Sequence, residues 1–114
     1  MAERFDIVIA GGGPVGTALA LGLRDSSHRV ALLEALPRDT RPNDARMIAL
    51  SYGSRLILDR LGAWRSLADI ATPIHSVTVS QQRRFGRVEL SATEAKVPAL
   101  GYVASYVALQ RALA

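Results

Sequence analysis

A glycine-rich turn, GGGPVG, begins at Gly11 and constrains the fold more than any other part of the chain. The apolar run over residues 6–10 predicts a β-strand before the turn, and an amphipathic helix pattern follows it. A second strand is predicted over residues 29–33, and Glu34 closes it. A strand, a glycine turn, a helix and a second strand ending in an acidic residue form the fingerprint of an adenine-dinucleotide site. The sequence therefore predicts an α/β fold that begins with the βαβ unit of a Rossmann-like domain.

Each residue of this fingerprint has a chemical reason. Gly11 permits the tight turn, and Gly13 lacks a Cβ that would keep a pyrophosphate away from backbone N–H groups at the positive helix end. Pro14 suits the first helical turn, which tolerates a missing N–H, and Gly16 lets the helix lie close to the sheet. Glu34 can accept hydrogen bonds from both ribose hydroxyls and would repel a 2′-phosphate. The site therefore favours FAD or NAD over NADP.

Residues 7–23 are uncharged, which raises a signal sequence or a membrane span as an alternative. Glycines and Pro14 interrupt the run, no positive segment precedes it, and spanning a bilayer takes about twenty residues. We interpret the run as a buried strand and helix, and we expect an intracellular, cytoplasmic chain. The absence of cysteine fits this location and excludes disulfides and thiol chemistry.

The formal charge of +4 raises a nucleic-acid partner as a second alternative. The arginines are spread among acidic residues, however, and a cluster occurs only at Arg83, Arg84 and Arg87, in a predicted hairpin turn. We interpret this cluster as solvated and predict no nucleic-acid partner. His28 and His75 have no partners at ligand or catalytic spacing, so we predict no metal site and no catalytic residue in this chain.

Further elements are predicted after a charged loop at residues 37–44. The first two are a helix over residues 51–61 stopped by Gly62 and a short helix over 64–70. An antiparallel hairpin with one solvated face follows, with Val77 and Val79 on its first strand and Val88 and Leu90 on its second. After an irregular stretch over 93–100, a strand is predicted over 102–104 and a helix from Tyr106, capped by Ser105. A doubly wound domain needs a third parallel strand. We therefore expect a truncated chain with an uncovered strand edge, which would favour self-association.

Several segments together resemble the N-terminal part of the FAD-dependent aromatic-ring hydroxylases, in particular the ubiquinone-biosynthesis branch. They are the glycine turn with Glu34, DARMIALSYGS with Arg46, LDRLGAW, VTVS with the QRR turn, and LGYV before the last helix. The resemblance implies a flavoprotein monooxygenase that uses NADPH or NADH and O2 to hydroxylate a lipophilic aromatic substrate, such as a polyprenylated phenol. It also implies peripheral association with the inner membrane or with a biosynthetic complex.

The resemblance assigns roles by position. The cofactor-binding residues are Gly11, Gly13, Pro14, Gly16, Glu34, Arg46 and Gln110. Arg46 matches an arginine that reaches FAD near its pyrophosphate and ribityl chain, where a planar, always charged fork suits an anion. Gln110 lies in the helix whose polar side chains touch the same region. Residues 1–73 would begin the FAD-binding domain, 74–100 would add a hairpin to the sheet of an incomplete substrate domain, and 101–114 would return to the first domain.

Two alternatives stay open at this point. Another flavoprotein or an NAD-dependent oxidoreductase would share the stretch from Gly11 to Glu34. A non-enzymatic basic binding module built on a βαβ unit is favoured only by the charge.

Overall fold

The computed structural model describes residues 3–36, 45–83 and 85–114. The charged loop predicted at residues 37–44 lies outside them. The elements in chain order are β1 (Ile7–Ala10), α1 (Pro14–Gly22), β2 (Val30–Leu33), β3 (Met47–Ser51), α2 (Tyr52–Arg60), α3 (Trp64–Leu67), β4 (Thr72–Ile74), β5 (Ser76–Ser80), β6 (Arg87–Ser91), α4 (Ala92–Ala95), β7 (Gly101–Ser105) and α5 (Tyr106–Leu113). The predicted α/β class, with its βαβ start and its antiparallel hairpin, is confirmed.

The βαβ unit consists of β1 and β2, which pair in parallel with Ala10 opposite Leu33, and of α1, which connects them. The ladder continues into the glycine turn, because the Gly11 N–H donates to the Leu33 carbonyl over 2.7 Å. At the opposite end, the Arg29 N–H donates to the Asp6 carboxylate over 2.8 Å. The glycine turn is thus fixed at the carboxyl ends of two parallel strands, the edge where open α/β sheets bind ligands.

A second sheet is antiparallel, and β7 lies in its middle between β3 and β4. Strand β3 shows the two-residue alternation of a half-covered strand, with Ile48 and Leu50 partly buried between exposed neighbours. The chain passes from β7 directly into α5, where the Ser105 hydroxyl accepts a hydrogen bond from the Ala108 N–H over 3.1 Å. The predicted cap and last helix are confirmed, whereas β3 and β4 were not predicted.

The core lies between the helices and β7. Its buried members are Leu58, Ala63, Trp64, Leu67, Ala104, Leu109 and Leu113. Trp64 meets Tyr102 edge to face, with ring centroids 4.7 Å apart. Gly62 follows α2 with a φ of +80°, which confirms the predicted glycine stop. The next helix is shorter than predicted and ends at Leu67.

The predicted antiparallel hairpin is confirmed, and in it β5 and β6 pair Val77 with Leu90 and Val79 with Val88. The sequence predicted one solvated face, and in the structure the apolar face is exposed as well: all four of these side chains are between 39% and 59% exposed. The stretch after the hairpin, predicted to be irregular, contains α4. Among the described helices, none is both long enough and apolar enough to cross a membrane.

Candidate functional site

The backbone of the glycine turn strongly favours glycine at two positions. Gly11 has a φ of +109°, a conformation that residues with a Cβ rarely adopt. A Cβ built on Gly16 would overlap the Gly11 carbonyl oxygen and would lie 3.3 Å from the Ile9 Cγ2 atom. The first turn of α1 is therefore pressed directly against the end of β1.

The N-terminus of α1 leaves backbone donors without acceptors in the helix. The helix begins at Pro14, and the residue before it, Gly13, supplies no side-chain cap. The Thr17 N–H donates to the Gly13 carbonyl over 2.9 Å, so the N–H groups of Val15 and Gly16 precede the first intrahelical bond. Uncapped N–H groups at the positive end of a helix dipole favour an anion.

An open groove of about 400 Å³ lies against this turn. Its lining includes four of the predicted site residues, namely Gly11, Gly13, Pro14 and Gly16. Ile9, Val15 and Leu19 add apolar walls. The structure thus gathers the four turn residues on one groove, whereas Glu34, Arg46 and Gln110 approach the turn from other elements.

Glu34 contacts the turn through Gly12, a residue that the sequence analysis did not single out. The Gly12 N–H donates to Glu34 Oε2 over 2.6 Å, and the Leu36 N–H donates to Oε1 over 3.2 Å. The Gly12 N–H, and after it that of Leu36, lowers the pKa of the Glu34 carboxyl below its ordinary value. Glu34 is therefore ionised at neutral pH and held at the end of β2. Each of its oxygens keeps a further lone pair for a ligand.

Gln110 reaches the same glycine from the other end of the chain. Its Nε2 donates to the Gly12 carbonyl over 2.9 Å, across 98 residues of sequence. Thr17 Oγ1 donates to that carbonyl as well, over 3.1 Å. The other amide atom, Gln110 Oε1, is shielded from solvent and accepts no hydrogen bond within the described ranges. Such an unsatisfied buried acceptor suits a hydroxyl donor from a ligand.

Thr17 and Gly12 are the functional candidates that the sequence analysis missed. A signal for Thr17 was present, because it is the one hydroxyl residue in the apolar helix segment PVGTALALG. The signal for Gly12 was weak, since it stands between two glycines that satisfy the fingerprint by themselves.

Arg46 lies directly before β3 and meets the site through Tyr106. Its guanidinium carbon is 5.1 Å from the centroid of the Tyr106 ring, within cation–π range. The Tyr106 N–H also donates to the Arg46 carbonyl over 3.0 Å. The Tyr106 hydroxyl lies 3.6 Å from the place that a Cβ on Gly13 would occupy. One tyrosine therefore connects Arg46 with the glycine turn.

The described residues place neither a metal-ligand cluster nor His28 at the glycine turn. In the part of the chain that the structure describes, no three acidic or histidine side chains are placed to hold a metal ion. His28 lies 3.9 Å from the Asp6 carboxylate, at the end of β1 opposite the turn.

No family model matches the chain. The chain is 34% identical over 111 residues to the uncharacterized protein slr1300 of Synechocystis, and the match covers 97% of this chain and 27% of that protein. It is 35% identical over 113 residues to the 3-demethoxyubiquinol 3-hydroxylase of Escherichia coli, and this match covers 95% of the chain and 29% of the enzyme. The chain thus spans less than a third of the length of these relatives.

Solved structures share the fold. The anhydrotetracycline hydroxylase OxyS of Streptomyces rimosus superposes on 97% of this chain with a TM-score of 0.72 at 23% identity, over 22% of its own length. The flavin-dependent monooxygenase PieE, solved with FAD and substrate, gives a TM-score of 0.71 at 18% identity over 97% of this chain and 21% of its own. At these identities the likeness establishes the fold.

Proposed function

Because the chain belongs to the family of FAD-dependent aromatic-ring hydroxylases, in the branch of the ubiquinone hydroxylases, we propose that it forms the FAD-binding part of a flavoprotein monooxygenase. The observation that carries the proposal is the convergence of α1, Glu34 and Gln110 on one glycine turn. The uncapped N–H groups, the room at Gly13 and the unsatisfied Gln110 Oε1 fit a ligand that has both an anionic and a hydroxyl-bearing part.

The proposed roles follow from these contacts. The N-terminus of α1 holds the FAD pyrophosphate, with Gly11, Gly13, Pro14 and Gly16 forming the turn around it. Glu34 binds the adenosine ribose, since the lone pairs not used by Gly12 and Leu36 accept hydroxyl donors. Gln110 Oε1 accepts a hydrogen bond from the ribityl chain or from a nearby hydroxyl. Arg46 supplies a positive charge near the pyrophosphate.

In this proposal, bound FAD supplies the redox chemistry, which takes electrons from NADPH or NADH and uses O2 to hydroxylate an aromatic ring. The residues of this chain bind and orient the cofactor. The substrate we propose is a lipophilic phenol of the kind that a ubiquinone hydroxylase accepts. We also propose that residues 1–73 and 101–114 belong to the FAD-binding domain and residues 74–100 to the substrate domain. The pairing of β7 with both β3 and β4 supports the return of residues 101–114 to the first domain.

The test is flavin binding by the protein as its gene encodes it. We expect a flavin absorption spectrum in the purified protein and stoichiometric FAD binding by the apoprotein. Glu34→Ala should weaken FAD binding at least about tenfold, because two hydrogen bonds to a charged acceptor are lost. Glu89→Ala, on the exposed hairpin, is the matched control and should bind as the parent does. Equal FAD affinity in Glu34→Ala and parent would refute the ribose assignment, and binding of NAD without FAD would instead identify a nicotinamide-dependent oxidoreductase.

We further propose a cytoplasmic protein that touches the inner membrane through the hairpin turn. Phe85 is fully exposed there, and Arg83 and Arg87 flank it, a combination that suits an anionic lipid surface. We expect the protein to sediment with anionic vesicles at low salt and Phe85→Ser to lose most of this binding. Equal sedimentation of parent and variant would contradict the proposal.

The apolar face of the hairpin supports a separate proposal of self-association. Val77, Val79, Val88 and Leu90 form a continuous, exposed apolar surface. Light scattering of the 114-residue chain should show oligomers, which Val79→Lys should reduce. A monomer at all concentrations would contradict this proposal.

A further inference from the structure

We infer that Tyr106 is a positioning residue of the dinucleotide site: its ring holds the Arg46 guanidinium beside the glycine turn, and its hydroxyl is a donor to the pyrophosphate bound there. The inference rests on the proposed function and deepens it, because it names the device that would make the site select an anionic ligand. It is carried by the backbone register, the ring contact and the position of the hydroxyl.

The backbone register brings the two residues together. Met47 pairs with Ser105 at the end of the β3–β7 ladder, and the next bond joins the Tyr106 N–H to the Arg46 carbonyl over 3.0 Å. Tyr106 is also the first residue of α5, whose cap is formed by Ser105. Its Cα is therefore fixed by a strand on one side and by a capped helix on the other.

The ring contact involves a long side chain that carries a permanent charge. The Arg46 guanidinium carbon lies 5.1 Å from the Tyr106 ring centroid. Arg46 is exposed, whereas Tyr106 is half-buried. An exposed arginine loses rotamer freedom when it binds an anion, and a ring that holds the guanidinium beforehand lowers that loss. Lysine would keep the charge and lose the planar contact.

The hydroxyl extends the same side chain to the phosphate-binding turn. It is the nearest atom, at 3.6 Å, to a Cβ built on Gly13, so it borders the space that the missing side chain leaves. Gly13 is also the uncapped residue before α1. A phenol O–H at this place and a guanidinium held behind it would both face an anion at the helix N-terminus.

The experiment is a double-mutant cycle on FAD binding in the protein as its gene encodes it. The variants are Tyr106→Leu, Arg46→Lys and their combination, with Tyr106→Phe to separate ring from hydroxyl. Tyr106→Leu should weaken FAD binding about tenfold and Tyr106→Phe about threefold, because only the hydroxyl is then lost. Arg46→Lys should weaken binding in the parent and in Tyr106→Phe, yet have a severalfold smaller effect in Tyr106→Leu. This coupling is a readout that a merely structural tyrosine would not give.

A matched control is Tyr52→Leu, which removes a tyrosine whose ring lies 5.9 Å from the Arg55 guanidinium carbon, away from the turn. It should leave FAD affinity unchanged. ADP, used as a competitor, should lose affinity in Tyr106→Leu by the same factor as FAD, whereas adenosine should not.

Two results would overturn the inference while the proposed function stands. One is additive effects of Arg46→Lys and Tyr106→Leu, and the other is parental FAD affinity in Tyr106→Phe. If Tyr106→Leu does not fold, the Tyr106→Phe affinity still decides the role of the hydroxyl. A parent protein that binds no FAD would instead refute the proposed function itself.

Discussion

The glycine turn and the β5–β6 hairpin are both local patterns that the sequence shows plainly, yet the structure uses them differently. The turn is contacted by residues from distant parts of the chain, since Gly12 bonds to Glu34 and to Gln110. The hairpin pairs mainly with itself, and both of its faces are exposed. The chain is therefore more extended than a compact one: its radius of gyration is 17.9 Å, whereas a compact chain of this length has about 13 Å.

The difference shows where binding chemistry can be built. A ligand site needs groups held at fixed distances, and long-range contacts supply them at the turn because α5 brings Gln110 against α1. The hairpin strands pair with each other, and they do not hold groups from distant segments at fixed distances. Equivalent substitutions in the two regions should therefore have unequal effects, and four pairs of variants test this from the largest expected difference to the smallest.

Buried and exposed leucines give the largest contrast. Leu109, in α5 directly before Gln110, is 5% exposed, whereas Leu90 on the hairpin is 50% exposed. Leu109→Ala should lower the free energy of unfolding by about 2–5 kcal/mol through lost burial and a cavity. Leu90→Ala should cost at most about 1 kcal/mol. Urea denaturation followed by circular dichroism measures both, and equal losses would mean that the hairpin face is packed in solution.

Two glycines give the next contrast. Gly16→Ala places a Cβ against the Gly11 carbonyl oxygen, so we expect a loss of about 1–3 kcal/mol in unfolding free energy and weaker FAD binding. Gly53→Ala in α2 is the control, because the nearest atom to its Cβ is the Ser51 hydroxyl oxygen at 3.8 Å. It should be neutral or stabilising by at most about 1 kcal/mol. Parental stability and affinity in Gly16→Ala would show that the first turn of α1 is not pressed against the Gly11 carbonyl in solution.

Two glutamines compare a side chain that makes the long-range contact with one that is only exposed to solvent. Gln110→Leu removes the donor to Gly12, which leaves Thr17 as the remaining side-chain partner of that carbonyl. We expect a loss of about 1–2 kcal/mol in stability, together with weaker FAD binding. Gln81→Leu, at an exposed position directly after β5, should change stability by no more than about 0.5 kcal/mol. If thermal unfolding shifts equally in both variants, the contact across 98 residues has no special weight.

The parts of the fold that the sequence predicted are those with local causes. Residues 6–34 carry their own strand, turn and helix signals, and Ser105 and Gly62 mark helix ends by capping rules that need no tertiary context. The hairpin pairing followed from alternation and a turn. The four turn residues of the site were likewise found from spacing, and the structure places them on one groove.

The parts that the sequence did not predict depend on contacts between distant segments. Strand β3 alternates over Met47–Ser51, but its partner is β7, fifty or more residues away in the chain. Strand β4 contains a proline, which argues against a strand. The contact of Arg46 with the Tyr106 ring depends on that sheet, and the bond from Gln110 to Gly12 depends on α5, which follows β7. Neither leaves a local pattern in the sequence.

The smallest expected difference concerns two glutamates and acid. Because the Gly12 N–H lowers the pKa of Glu34 in the folded state, Glu34 stabilises the fold above its unfolded pKa, and this contribution is lost as the pH falls through the lower folded pKa. Glu34→Gln should therefore flatten the acid limb of the pH–stability curve between about pH 5 and pH 3. Glu89→Gln removes a carboxylate from the hairpin, away from the turn, and should keep the parental acid limb. Thermal unfolding across this pH range measures the difference between parent and variant. That difference should grow with bound FAD, because ribose hydroxyls that donate to the Glu34 carboxylate would lower its pKa in the folded state further. An acid limb that is identical in parent and Glu34→Gln would mean that the bond to Gly12 does not form in solution, and the contrast between the two regions would then rest on Gln110 and the core.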